Sequence, residues 1–262
     1  MLKVKPITQE FKMDPTQRFS HKAQVYARYR MDFNPQVISA IREMTDLPAS
    51  ARVLDVGAGT GMFTRHLLGY FEQVYALEPN PAMRATAAAE LADFPGFRAF
   101  AARAEEIPLA ATSVDLITAG RVLHWLQPEP TRRAFQRIAK PGAWLIVARL
   151  QTLGEDYHQS LREIRTPENG FRTREHDPHP GDVPVEYYYS GGQCQIIQIP
   201  HSIEQDFTAF MGGLQSGSYA PDEGQPGFEE FQQAAWQIFE RLGDGKTITL
   251  QVVTEIHCGK LF

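Results

Sequence analysis

Cysteine is scarce: 262 residues hold only Cys194 and Cys258, too few for a disulfide framework. Both lie in apolar, strand-like segments and read as buried thiols of a reducing compartment. No apolar run approaches the ~20 residues needed to cross a bilayer. The first fourteen residues, MLKVKPITQEFKMD, lack the apolar stretch of a secretory signal. A cytoplasmic protein is the expectation. Positive charge is not in excess, since 26 Lys and Arg stand against 31 Asp and Glu, a formal charge of −5. Neither nucleic acid nor a membrane is therefore an expected partner. Repeats and low-complexity tracts are also missing. What is present, 43% hydrophobic residues, suffices for one good core with a cap or insertion.

From Arg52 to Leu150 strand and helix signals alternate. Strands are expected at Arg52–Val56, Gln73–Leu77, Phe97–Ala101, Val114–Ala119 and Ala143–Ala148, the last after a turn at Lys140-Pro141-Gly142. Helices are expected at Thr60–Tyr70, from Pro81 to about Ala92, and at Pro130–Ala139. Alternation of this kind means βαβ crossovers, hence an α/β, doubly wound parallel sheet with helices on both faces. Upstream, Phe19–Met44 reads as helix in two pieces broken near Asn34-Pro35. Downstream, Glu155–Arg165, Ile203–Gln215 and Phe228–Leu242 read as helices, and Gln195–Ile199 and Thr247–His257 as strands. The segment between Arg165 and Gln195 is rich in Pro, Gly, His and charge and reads as a loop or small cap.

The densest signal is VLDVGAGTGMFT, Val53–Thr64, with glycine at 57, 59 and 61. Glycines between a first strand and a helix let backbone approach a ligand, and the helix N-terminus offers it free N–H groups. Glu78, 21 positions after Gly57, sits where the second strand ends in YALEPN. A carboxylate there suits the two hydroxyls of a ribose. Together these predict an adenosine-containing cofactor. The alternative is that the glycines serve only a tight turn. The dinucleotide fingerprint G-x-G-x-x-G is not met, because Met62 follows G-x-G-x-G.

These residues resemble the class I S-adenosylmethionine-dependent methyltransferases. VLDVGAGTG is similar to their first motif and LEPN to their acidic second one. AEEIPLAATSVDLITA is similar to the segment running from an adenine-contacting turn into the fourth strand, and KPGAWLIVA to the following turn and fifth strand. The likeness covers Tyr26 to Leu150 well and the rest loosely. It implies S-adenosyl-L-methionine as cofactor and S-adenosyl-L-homocysteine as product. The implied fold is a Rossmann-like sheet, mostly parallel, whose antiparallel last strand runs at the sheet edge beside Gln195–Ile199. A single domain over 1–262 would comprise a helical lid (1–48), a cofactor-binding core (49–150), an insertion after the fifth strand (151–193) and a segment completing the sheet (194–262). The implied cofactor contacts are Gly57, Ala58, Gly59, Thr60, Gly61, Glu78, Pro79, Met83, Ala104, Glu105, Ala119 and Gly120, with Tyr26 and Arg30 from the lid.

After the fourth strand the chain reads AGRVLHWLQP. The Asn-Pro-Pro-Tyr motif of methyltransferases acting on exocyclic base amines or on protein glutamine is absent. His124-Trp125 instead resembles a pair in a small-molecule branch that includes trans-aconitate methyltransferase-like proteins. His124 suits a general base for a hydroxyl acceptor, or it only lines the pocket. Trp125, Ser216, Ser218 and Tyr219 are candidate acceptor contacts, the last three from LQSGSYAP; a helix C-terminal turn is the other reading of that stretch. Arg30 suits a carboxylate. EYYYS, Glu186–Ser190, reads as an aromatic wall or an edge strand. His176, Asp177, His179 and Asp182 are clustered, but two prolines and flanking charge make a loop there, so no metal is expected. The expected activity is methyl transfer to a small-molecule oxygen, carboxylate or hydroxyl, by a monomer or homodimer. The rivals are an NAD(P)-dependent oxidoreductase and a cofactor-binding protein without turnover.

Overall fold

The computed structural model describes residues 22–171 and 183–261. Strands β1 (Val53–Val56), β2 (Val74–Leu77), β3 (Phe97–Phe100), β4 (Val114–Gly120), β5 (Ala139–Thr152), β6 (Gln195–Gln205) and β7 (Ile248–Lys260) form one sheet in the order β3-β2-β1-β4-β5-β7-β6. The first five are parallel, in registers such as Leu54↔Tyr75 and Leu54↔Ile117. The nearly unbroken apolar runs of the central β1 and β4 follow from burial on both faces, whereas β3 at the edge is only partly buried.

The helices are α1 (Ala23–Tyr29), α2 (Val37–Thr45), α3 (Met62–Leu68), α4 (Pro81–Glu90), α5 (Pro128–Ile138), α6 (Glu155–Ile164), α7 (Phe207–Gln215) and α8 (Phe228–Leu242). Side-chain caps start two of them. Asn80 Oδ1 accepts from Met83 N–H at α4, where Pro81 fits the first turn, and Asp206 Oδ1 accepts from Ala209 N–H at α7. One face of the sheet packs Leu54, Ile117, Leu145 and Val147 against Phe135 and Ile138 of α5. The other packs Val53, Leu116 and Ile146 against Val37 and Ile41 of α2 and Phe63 and Leu67 of α3. A third cluster joins α6, α7 and α8 to Ile248, Leu250 and Val252 of β7.

Four expectations are corrected. The last strand, β7, is not at the edge: it lies between β5 and β6, antiparallel to both, with Val147↔His257 and Gln198↔Glu255 in register. β6 takes the edge and runs on through Gln205, so the expected helix at Ile203 starts only at Phe207. Alternating exposure along Ile203–Gln205 marks a strand, which a short apolar run does not distinguish from helix. The Lys140–Gly142 turn is a bulge inside β5, where the register with β4 slips between Val114↔Ala139 and Leu116↔Trp144. Glu186–Ser190 is not a strand: Val185–Tyr188 is a short 3-10 turn, with Tyr188 and Tyr189 buried. Cys258 is buried, whereas Cys194 is only half-buried, and both are free thiols. The His176–Asp182 cluster lies outside the described residues.

Candidate functional site

The carboxyl ends of β1, β2 and β4 converge on one rim, the crevice where doubly wound sheets take ligands. After Val56 the chain turns through Gly57 (φ +62°), Gly59 (φ +59°) and Gly61 (φ +84°) into α3. The glycines serve different needs. A Cβ at Gly57 would stand 2.2 Å from Val122 Cγ2, whereas one at Gly59 would meet nothing within 4 Å. The turn is thus packed from below at Gly57 and open at Gly59. Ala58 and Thr60, between them, are buried.

Glu78 follows β2 directly and is 8% exposed. Its Oε2 accepts from Gly59 N–H (2.9 Å) and its Oε1 from Asn80 N–H (2.8 Å). Burial pushes its carboxyl above the ordinary range, while these two N–H groups and the nearby Arg84 oppose that. One carboxylate therefore fastens the glycine turn to the tip of β2. Each oxygen keeps a lone pair for a further donor. Pro79 and the buried Met83 follow at the start of α4.

Ala104 is buried, and Glu105 Oε1 accepts from Gln127 N–H (3.1 Å). That bond ties the loop after β3 to the segment after β4. Ala119 and Gly120 end β4, with Gly120 against Phe63. The next turn, Leu123–Trp125, carries His124, exposed, and Trp125, half-buried, their rings 5.1 Å apart.

Helix α1 packs on α4 and α7. Tyr26 lies within electrostatic reach of Glu78, with the guanidinium carbons of Arg30 and Arg121 5.4 and 6.0 Å from its ring centroid. Burial alone would raise the phenol's pKa; the guanidiniums of Arg121 and Arg30 outweigh it and hold it below the ordinary tyrosine value. Arg30 Nη1 donates to Ser216 Oγ (3.4 Å). Ser216 is fully buried and spends its own proton on Gly213 O (2.6 Å). Its hydroxyl closes the end of α7, in line with the helix C-terminal turn reading of LQSGSYAP, and receives Arg30. Ser218 and Tyr219, just beyond, are half-buried.

Two residues escaped the sequence reading. Arg121 follows Gly120 with φ +56°, unusual for a side chain of its size. It donates to Met31 O (2.7 Å), contacts Met62 Sδ (2.9 Å) and lies 4.6 Å from the Phe33 ring centroid. Burial, with Arg30 nearby, lowers its pKa. The buried Nε atoms of Arg30 and Arg121 have no hydrogen-bond partner among the described residues. Two guanidiniums with orphan N–H groups beside a glycine turn suit an anionic ligand group. A lone charge at the end of an apolar strand was the available signal.

Asp55, the other, is 1% exposed within β1 and accepts from Thr64 (2.6 Å) and Thr118 (2.8 Å) hydroxyls. Burial pushes its carboxyl up to about 6, against the two hydroxyls. A carboxyl raised in the native state gives stability that is complete below its unfolded value and is lost as pH rises through the native one. Relative to Asp55→Asn, the wild type is expected to lose about 1.4 kcal/mol of unfolding free energy between pH 5 and pH 8. Urea titrations of both proteins at the two pH values check this; a constant difference would mean that Asp55 stays ionised throughout.

A sheet of this order, with a glycine turn after β1 and a carboxylate at the tip of β2, defines a Rossmann-like cofactor-binding fold. Residues 54–147 match the family model described as methyltransferase domain. That match, over about a third of the chain, is to a methyltransferase domain and not to a nicotinamide-dependent one. It is 35% identical over 133 residues to an uncharacterized methyltransferase of Mycobacterium tuberculosis, covering 50% of this chain and 51% of that protein. It is 32% identical over 161 residues to malonyl-[acyl-carrier protein] O-methyltransferase of Brevibacillus brevis, covering 57% and 56%. The chain thus spans about half the length of the first curated relatives it matches. In fold it is similar to a protein of Anaeromyxobacter dehalogenans described provisionally as a type II methyltransferase, with TM-score 0.64, 21% identity, and 89% and 99% of the two chains covered. The [4+2]-cyclase SpnF shares the fold as well (TM-score 0.52, 15% identity, 92% of each chain), so fold alone does not fix the chemistry. Among the described residues no helix is long and apolar enough to cross a membrane, and no group of three or more His, Cys, Asp or Glu is placed to hold a metal ion.

Proposed function

We propose that this protein transfers a methyl group from S-adenosylmethionine to an oxygen of a small-molecule acceptor. The observation that carries the donor side is the Glu78–Gly59 link, a buried carboxylate beside an open glycine cradle. In this reading Glu78 accepts the ribose hydroxyls, and the Gly57–Gly61 turn, with Ala58 and Thr60, borders the amino-acid portion. Pro79, Met83, Ala104 and Glu105 flank the adenine, and Ala119 and Gly120 lie beside the methionine chain. The orphan N–H groups of Arg30 and Arg121 suit the carboxylate of that chain, and Tyr26 helps α1 exclude water. When bound, the donor supplies a methyl on a sulfonium, open to in-line attack.

His124 takes the proton from a hydroxyl acceptor, and Trp125, Ser218 and Tyr219 line the acceptor side. A carboxylate acceptor is already ionised and asks only for positioning. Two observations support oxygen: Asn-Pro-Pro-Tyr is absent between Gly120 and Pro128, and four of the relatives are named malonyl-[acyl-carrier protein] O-methyltransferase.

A panel of phenols, small carboxylic acids and amines with labelled donor tests this. Label is expected in a phenol or an acid. For a hydroxyl acceptor, His124→Ala is expected to slow transfer about 100-fold while leaving S-adenosylhomocysteine affinity unchanged; for a carboxylate it leaves the rate nearly intact. Transfer confined to amines would overturn the oxygen reading. Tight binding with no transfer to any acceptor would mark a cofactor-binding protein without turnover.

A further inference from the structure

Lys22 precedes α1 and is 2% exposed. A buried ammonium is costly unless each donor is matched. Here Nζ donates to Gln215 O (3.0 Å), Gly217 O (3.1 Å) and Ala220 O (2.6 Å), and stands 3.3 Å from Asp222 Oδ1. Three donors thus meet three carbonyls and a carboxylate. The carbonyls belong to the last residue of α7 and the turn after it, where a cation also complements the helix dipole. Two turns along α1, Tyr29 packs on Gly212, whose added Cβ would stand 2.4 Å from the ring. Arg30 closes the row on Ser216. Helix α1 is therefore fastened along its length to α7 and the 214–222 segment, while its Tyr26 faces Arg121 and Glu78 on the donor side.

We infer that Lys22 is a positioning residue that makes α1 and the 214–222 turn one body, so that the donor, bound beneath α1, sets the place of Ser218 and Tyr219 on the acceptor side. The inference rests on the donor site proposed above. It makes the acceptor pocket a product of donor binding and gives the reaction a preferred order, donor first. Without the lysine, α1 keeps Tyr26 and Arg30 for the donor and its Arg30–Ser216 link to the end of α7, but Gly217, Ala220 and Asp222 beyond it lose their tie to α1 and no longer follow.

Hydrogen exchange with S-adenosylhomocysteine as probe tests this. The amides of Gly217 and Ala220 donate within the segment and that of Ser216 to Gly212 of α7, and together they report its order. In the wild type the probe is expected to slow their exchange about fivefold or more. In Lys22→Met it still protects the Gly57–Gly61 turn but no longer 214–222, and its dissociation constant rises about fivefold. Lys22→Arg, which keeps the charge and donors, restores part of both effects, a result that a merely space-filling role would not give. Should Lys22→Met fail to fold, Lys22→Gln carries the same expectations. Probe-induced protection of 214–222 that persists without the lysine overturns the coupling, as does a wild type that binds the probe with no change there. A wild type that does not bind the probe at all overturns the donor site and the coupling together.

Discussion

Glu78→Ala is expected to weaken S-adenosylhomocysteine binding about 100-fold, measured by calorimetry. The side chain does two things at once. It offers lone pairs to the ribose, at about 1.5–3 kcal/mol for hydrogen bonds to a charged group, and it holds Gly59 N–H and Asn80 N–H in place. Removing it leaves both N–H groups without their acceptor and frees the glycine turn from the β2 tip. Glu78→Gln separates the two tasks. It keeps the size and one acceptor oxygen but turns an amide NH2 toward one of the two backbone donors, so a loss of about tenfold is expected. An affinity within threefold of wild type for Glu78→Ala would remove this carboxylate from the donor site.

Gly57→Ala and Gly59→Ala are expected to fail in different ways although both positions have φ near +60°. At Gly57 the new methyl would lie 2.2 Å from Val122 Cγ2 and 2.9 Å from its Cβ. Left-handed backbone and overpacking together cost about 3–4 kcal/mol, read as a lower urea midpoint. At Gly59 the methyl meets nothing within 4 Å. Its cost is the backbone alone, about 1–2 kcal/mol, but it protrudes into the cradle and is expected to abolish detectable donor binding. Gly57→Ala combined with Val122→Ala relieves the overlap and should recover part of the lost stability. Equal stability losses at 57 and 59 would refute the packing argument.

The core was legible because its strands are buried on both faces. VLDV, LITA and WLIVA read as central parallel strands because they alternate with helical segments and are bounded by turns. The glycine turn and Glu78 were legible because backbone freedom and a carboxylate recur at a fixed spacing. The place of β7 was not: Thr247–His257 showed a strand, but only pairing to β5 and β6 decides whether a strand is internal or at the edge, and pairing is not written in either segment alone. Arg121 and Asp55 were passed over because each is one polar residue in an apolar stretch, and their meaning comes from partners far along the chain, Met31 and Thr118. Lys22 is the extreme case, since its carbonyl partners lie 193 to 198 residues away.

The interior position of β7 also bears on how the molecule is made. Val147 must find His257, and Gln198 must find Glu255, so β5 has only β4 beside it, and β6 lacks β7, until the 248–260 stretch has left the ribosome. From the completion of β5 at Thr152 until Ile248 emerges, the five-stranded parallel half has an uncovered flank along β5, the kind of ragged border to which other nascent chains adhere. Completion is a single late insertion that zips two ladders together, and a polypeptide halted short of Ile248 would keep its glycine turn yet present that sticky border permanently.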